Sequence, residues 1–280
     1  MIVFRKVSII GVGLIGGSIG LAIKRGRLCP MVVGVGRKRS SIDRALEMSA
    51  IDMGTLNLAE GVKDADLIIV SAPAGKVKEK IGQAFQYARK GAIVIDVNSA
   101  KQDIMRFAGD LVPNDIYFVA THPMAGSERS GVSFADAGLF RESVCIITPD
   151  RFTDRKALER VKGFWTMLGA KVFLMPPKTH DEIVAKISHL PHVLAYVLCD
   201  MVSKNELALA GSGFRDATRI AGSSPEMWEE IFMQNKRYVL KAIGLFEKGL
   251  RCLKNDMVSG NRPALSGALK RAMKKRGFID

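Results

Sequence analysis

The sequence of 280 residues predicts an α/β chain in two parts, a mostly parallel sheet covered by helices over residues 1–175 and an all-helical unit over 176–280. Three observations predict it. Short β-rich apolar runs alternate with amphipathic stretches up to about residue 175, a texture that implies crossover connections and hence parallel strands. A glycine-rich turn directly follows the first of these runs. After Pro176-Pro177 the strand-like runs stop, and helical periodicity broken by Gly and Pro takes over.

In order, strands are expected at KVSIIGVG, MVVGVGR, LIIVSAP, AIVIDVN, YFVATHP, SVCIITP and KVFLMPP. Helices are expected at GSIGLAIKRG, SSIDRALEMSA, KVKEKIGQAFQYARK, KQDIMRFAGD and DRKALERVKGFWTML. The second part reads as helices across KTHDEIVAKISHLPHVLAYVLCDMV, GSGFRDATRIAGSS and PEMWEEIFMQNKRYVLKAIGLFEKGLRCLKNDMV, with the double proline as the domain boundary.

With 48% hydrophobic and 25% charged residues the composition is that of a soluble globular protein, long enough for two domains. Cys29, Cys145, Cys199 and Cys252 lie far apart with no CxxC pair, which suggests reduced core thiols, no zinc site and a cytoplasmic location. The apolar start is interrupted by glycines and by Arg5-Lys6 and lacks a cleavage pattern, so neither a leader nor a membrane segment is expected. Net charge is +14, concentrated in Arg37-Lys38-Arg39 and in the tail LKRAMKKRGFID. Aromatics are few and no nucleic-acid-binding motif accompanies the charge. The tail therefore reads as a solvated basic helix, and small anions are the expected partners rather than nucleic acid.

Gly11-Val12-Gly13-Leu14-Ile15-Gly16 is a GxGxxG between a strand and a helix, the context in which it binds a dinucleotide in a Rossmann-type domain. Gly11 allows the tight turn, Gly13 the approach of a pyrophosphate and Gly16 close helix packing, while the amides from Leu14 and Ile15 onward face the anion. About twenty residues on, an NAD site usually carries an acid on the ribose; here the chain reads Val35-Gly36-Arg37-Lys38-Arg39-Ser40. Gly36 leaves room for a 2′-phosphate, and Arg37, Arg39 and Ser40 can donate to it, so NADP is favoured over NAD or shares the site with it.

Residues for a substrate site come from three strand ends: Ser71-Ala72-Pro73, the DVNSAK loop with Ser99, and His122. Pro123 biases His122 away from helix, and the stretch THPMAGSERSG is expected to leave its strand as a loop. Ser99 is read as a substrate contact, a helix N-cap, or both. Lys101 is read as a solvated residue near the helix start. SHLPH puts His189 and His192 three apart on one helix face near Tyr196, with Pro191 disturbing the helix; without a carboxylate at suitable spacing they do not suggest a metal. Arg215 and Arg219 follow a flexible glycine pair, where an arginine could clamp a carboxylate.

GVGLIGGS, DVNSAK, THPMAGSERSG, HLPH and GFRDATRIAGSSPEMWEEIFMQN, in this order and spacing, resemble the prephenate/arogenate dehydrogenase family of tyrosine biosynthesis over nearly the whole chain. The resemblance implies a dinucleotide-binding domain, a helical domain that makes a homodimer, and an active site between them. It also implies NAD(P)-dependent oxidative decarboxylation of prephenate, or of arogenate. By resemblance His122 is the catalytic histidine and Ser99 its hydrogen-bonding neighbour, Arg219 binds the substrate carboxylate, and His189, His192, Ser127 and Glu128 line the substrate. Gly36-Arg37 departs from the NAD-preferring pattern. Because the chain ends at Asp280, no appended regulatory domain is expected. An imidazole of ordinary pKa would make the rate fall below about pH 6.5. A different two-domain dehydrogenase or imine reductase gives no account of HPMAGSERSG with HLPH, and a non-catalytic nucleotide-binding regulator would not need His122.

Overall fold

A computed structural model describes residues 4–127 and 129–278. The first part runs β1 (Lys6–Ile10), α1 (Leu14–Gly26), β2 (Met31–Val35), α2 (Arg39–Glu47), β3 (Met53–Thr55), α3 (Leu58–Val62), β4 (Leu67–Val70), α4 (Val77–Tyr87), β5 (Ile93–Asp96), α5 (Gln102–Leu111), β6 (Tyr117–Pro123), β7 (Val144–Ile147), α6 (Arg155–Met167) and β8 (Lys171–Leu174). The rest is helical among the described residues: α7 (Pro177–Val184), α8 (Leu190–Asp200), α9 (Lys204–Leu207), α10 (Ser212–Thr218), α11 (Pro225–Gln234), α12 (Lys236–Val258) and α13 (Arg262–Arg276). All seven expected strands form. The edge strand β3 and the short helix α3 were not expected, because three and five residues are too few to show a period.

The sheet order is β3-β2-β1-β4-β5-β6-β7-β8. Pairing is parallel from β3 to β6, antiparallel between β6 and β7, and parallel again between β7 and β8. Strand order reverses between β1 and β4, which opens a crevice at their carboxyl ends. Side chains alternate across the sheet. Ile9, Ile69 and Ile95 enter one core with α1 and α6, whereas Ile10, Ile68, Val70 and Val94 enter another with α4 and α5. Central strands covered on both faces explain the unbroken apolar runs LIIV and IVI.

Three local expectations need correction. His122 does not sit in a loop: β6 continues through Pro123, with His122 opposite Ile146 of β7. A strand end tolerates proline, and the Met124 amide resumes the ladder by donating to the Val144 carbonyl at 2.7 Å. Ser99 is not an N-cap, because α5 begins at Gln102 and Lys101 occupies the cap position. Only Cys29 and Cys145 are buried; Cys199 is partly exposed and Cys252 exposed.

Candidate active site

At the crevice, Gly11 has φ +97°, and a Cβ there would strike the carbonyl of Ser71, so only glycine lets the β1 turn meet the loop after β4. A Cβ on Gly16 would strike the carbonyl of Gly11, which makes this glycine the close contact between turn and α1. Gly13 faces open space and caps α1 without any side-chain bond. With no acid in the first turn of α1, the helix end beginning at Leu14 and Ile15 is available to an anion. These residues, with Ser71, Ala72 and Pro73 alongside, fit a dinucleotide pyrophosphate.

The segment after β2 fits a second phosphate less simply. Arg37 and Ser40 are exposed and α2 starts without a side-chain cap, but Arg39 pairs with Asp43 at 3.0 Å. A Cβ on Gly36 would crowd Ile42 at 2.9 Å, so packing already accounts for this glycine.

His122 is 7% exposed. Its Nδ1 lies 2.8 Å from Nε2 of His180, whose Nδ1 lies 2.7 Å from Oδ1 of Asp181. Asp181 also accepts the Lys101 amide at 2.8 Å and the Gln102 amide at 2.9 Å. A carboxylate from α7 thus supplies the N-terminal cap of α5 that was expected of Ser99. Ser99 is half-buried. The neighbour at His122 Nδ1 is His180. Lys101 is not solvated: it is 0% exposed and its Nζ pairs with Asp96.

Burial pushes the His122 pKa well below 6.5, and His180, Lys101 and His189 nearby push in the same direction. His180 is lowered by burial too, against a hydrogen bond it donates to Asp181 that favours its charged form. Both rings are therefore neutral near pH 7, and the expectation that His122 protonates near pH 6.5 is replaced by a lower value.

Pro191 has no amide hydrogen to donate, and the helix just before it widens into a π turn over Ala185–His189. That turn buries His189, whose pKa burial lowers to about 4. Asn235 Nδ2 donates to the Asp181 carbonyl at 2.9 Å and lies 3.1 Å from His189 Nδ1. His189 Nδ1 is then the acceptor, and the hydrogen sits on Nε2, which is buried without a partner among the described residues. His192 stacks on Trp228 with centroids 3.4 Å apart, and His189 meets the same ring edge-on at 6.0 Å. Arg219 is exposed and close enough to add to the lowering of the His192 pKa, which burial dominates. Tyr196 donates to the Ser223 carbonyl at 2.9 Å.

Helix α11 holds the two loops of the sheet that border this region. Glu230 accepts the Gly75 amide at 2.8 Å, and Gln234 donates to the Ala74 carbonyl at 2.6 Å while accepting from Asn98 at 2.8 Å. Ser127 lies in an exposed loop where its Oγ accepts the Arg129 amide at 3.2 Å, and Glu128 lies outside the described residues.

Two family models match in tandem: the prephenate dehydrogenase nucleotide-binding domain over residues 19–174 and the prephenate dehydrogenase dimerization domain over residues 176–274. The chain belongs to the prephenate dehydrogenase family. It is a nicotinamide-dependent oxidoreductase of that family. A cyclohexadienyl dehydrogenase of Zymomonas mobilis is 33% identical over 99% of this chain and 96% of its own. A prephenate dehydrogenase of Bacillus subtilis is 36% identical over 82% of this chain and 64% of its own, so that relative extends well beyond the match. The crystal structure of the Aquifex aeolicus prephenate dehydrogenase with hydroxyphenyl propionate and NAD+ superposes with a TM-score of 0.92 at 34% identity, covering 99% of this chain and 98% of that one.

His180, Asp181, Asn235 and Trp228 had not been picked out as site residues from the sequence. The one signal for the first two was an adjacent His-Asp pair in the first turns of the helix after the double proline.

Proposed function

We propose that the protein converts prephenate to 4-hydroxyphenylpyruvate by oxidative decarboxylation in tyrosine biosynthesis, with arogenate, which gives tyrosine, as the alternative substrate. The observation that carries this reading is a buried, neutral His122 at the carboxyl end of β6, in a family member whose glycine turn opens at the carboxyl end of β1. When bound, the nicotinamide supplies the acceptor for the hydride that leaves C4 of the substrate ring. Gly11, Gly13, Leu14, Ile15 and Gly16 would hold its pyrophosphate, with Ser71, Ala72 and Pro73 beside it. His122 takes up the hydrogen of the C4 hydroxyl as carbonyl character grows there and returns it to the phenolic oxygen once CO2 has left. Loss of CO2 from the opposite ring carbon makes the ring aromatic and supplies the driving force, so positioning matters more than strong acid chemistry. His189 offers an Nε2 hydrogen to the substrate, Arg219 pairs with a carboxylate, and Ser99, His192, Ser127 and Glu128 complete the contacts.

NADP is the favoured cofactor on the strength of Arg37, Arg39 and Ser40, with NAD as the alternative. The division at residues 175/176 and a cytoplasmic location belong to the same reading, the latter from four free cysteines and a nicotinamide chemistry. We also propose a homodimer. Pro177–Asp200 is long and apolar enough to cross a membrane by length and composition, and 22% of its most apolar window is buried within the chain. Its His180 and Asp181 are bonded to the sheet and to α5, which supports a place within the protein rather than in lipid. Its exposed Ile187, Val197 and Leu198, with Leu240 and Leu250 of α12, suit a second copy.

Assaying prephenate and arogenate with NADP and with NAD tests the reading. Reduced cofactor formed with one or both substrates supports it; none with either overturns it. A kcat/KM favouring NAD by about tenfold, about 1.4 kcal/mol, would reverse the cofactor preference.

A further inference from the structure

His122 has two ring nitrogens, and which one carries hydrogen decides whether it can act as a base. The chain of contacts behind it fixes the answer. Both oxygens of Asp181 face backbone N–H donors, Lys101 on Oδ1 and Gln102 on Oδ2, so the group acts as an acceptor. The His180 Nδ1 on Oδ1 must then carry its hydrogen. A neutral His180 has only one, which leaves a lone pair on Nε2. His122 Nδ1, 2.8 Å from that lone pair, must in turn be N–H. The lone pair of a neutral His122 is therefore on Nε2.

We propose that His180 is a positioning residue for the reaction: held by Asp181, it locks His122 in the Nδ1–H tautomer so that Nε2 is free to receive the substrate hydroxyl hydrogen. The inference rests on reading His122 as the base. It also assigns the helical part a task in the chemistry, because His180 and Asp181 are on α7 while His122 is on the sheet. When His122 takes the proton, its Nδ1–H stays bonded to His180, and the positive charge is offset along the chain by Asp181. The other titratable groups around it are Lys101 and His189, which oppose the charge, Asp96, which pairs with Lys101, and the buried Cys145 thiol, which burial keeps protonated.

The protein has four histidines, so ring 15N signals of histidine-labelled protein can be assigned from single replacements. Near pH 7.5 the expected result is that His122 and His180 both carry hydrogen on Nδ1 and none on Nε2. Finding His122 as the Nε2–H tautomer would overturn the proposal from the wild type alone, even if variants fold poorly. In His180→Leu, His122 is expected to turn to the Nε2–H form and kcat to fall roughly 10²-fold with KM nearly unchanged. His180→Gln, whose carbonyl oxygen can still accept from His122, should recover part of kcat. A folded His180→Leu that keeps the wild-type His122 tautomer and the wild-type kcat overturns the role of His180. An unchanged kcat in His122→Asn removes the base itself, and this separates failure of the underlying reading from failure of the chain behind it.

Discussion

A neutral histidine buried beside a lysine ammonium is poised to accept a proton but slow to keep one from solvent. Because burial and its cationic and histidine neighbours depress the His122 pKa, the catalytically competent form persists below the ordinary histidine range. The kcat/KM profile should stay flat from about pH 8 to pH 6.5 and bend only well below 6.5; an inflection at or above 6.5 would assign the limb to another group. Arg219→Ala should raise KM with little loss of kcat, by about 1.5–3 kcal/mol for a charge-assisted contact; a KM within twofold of wild type argues against the clamp. His122 was legible in the sequence because a strand-like run ends on it and HPMAGSERSG surrounds it. His180 was not, since 58 residues separate the pair and no periodicity links a strand end to the first turns of a distant helix. Lys101 was misread because lysine near a helix start is ordinarily solvated, and the sequence does not show that the buried loop turns its Nζ back onto Asp96, five residues before it.

Among elements, the β1 turn and α1 assign different tasks to glycines that look alike in sequence. Gly16 is closed in by the Gly11 carbonyl and Gly13 by nothing. Gly16→Ala should therefore cost about 1–3 kcal/mol of stability through overpacking, whereas Gly13→Ala should leave the unfolding midpoint of the free protein unchanged and weaken dinucleotide binding about tenfold or more, about 1.4 kcal/mol. Equal losses of stability in both variants would show the turn to be structural alone. This motif was legible because strand, turn and helix are contiguous. The π turn before Pro191 was legible as a disturbance but not in its form, because a missing amide can be met by a kink, a break or a widened turn. The cap of α5 was misassigned to Ser99, since local capping rules do not anticipate a carboxylate arriving from α7.

At the scale of the whole molecule, three buried histidines of lowered pKa, His122, His180 and His189, join the sheet to the helical part. In the unfolded chain each titrates near 6.5, so the unfolded state binds more protons as pH falls. The stability these groups contribute is fully present above about pH 6.5 and is lost as pH falls toward their folded values. For His189, lowered to about 4, the loss between pH 7.5 and pH 5 amounts to about 2 kcal/mol. Denaturant midpoints should fall over that window, and His189→Gln should reduce the slope; a midpoint independent of pH there contradicts the buried neutral state. The alternation of strands and helices and the change at the double proline made the architecture readable. The coupling of the two parts through His180, Asp181, Gln234 and Glu230 was not, because it depends on which faces meet.

The central claim is that one neutral imidazole takes the hydrogen of the C4 alcohol as hydride leaves and gives it back to the phenol as CO2 departs. Its most direct test is the formation of reduced nicotinamide and CO2 from prephenate by the wild type and by His122→Asn. Equal amounts of both products from the wild type, with kcat lowered roughly 10²–10⁴-fold and KM nearly unchanged in the variant, is the predicted result. A variant as fast as the wild type, or a wild type that releases neither product from prephenate or arogenate, would contradict it.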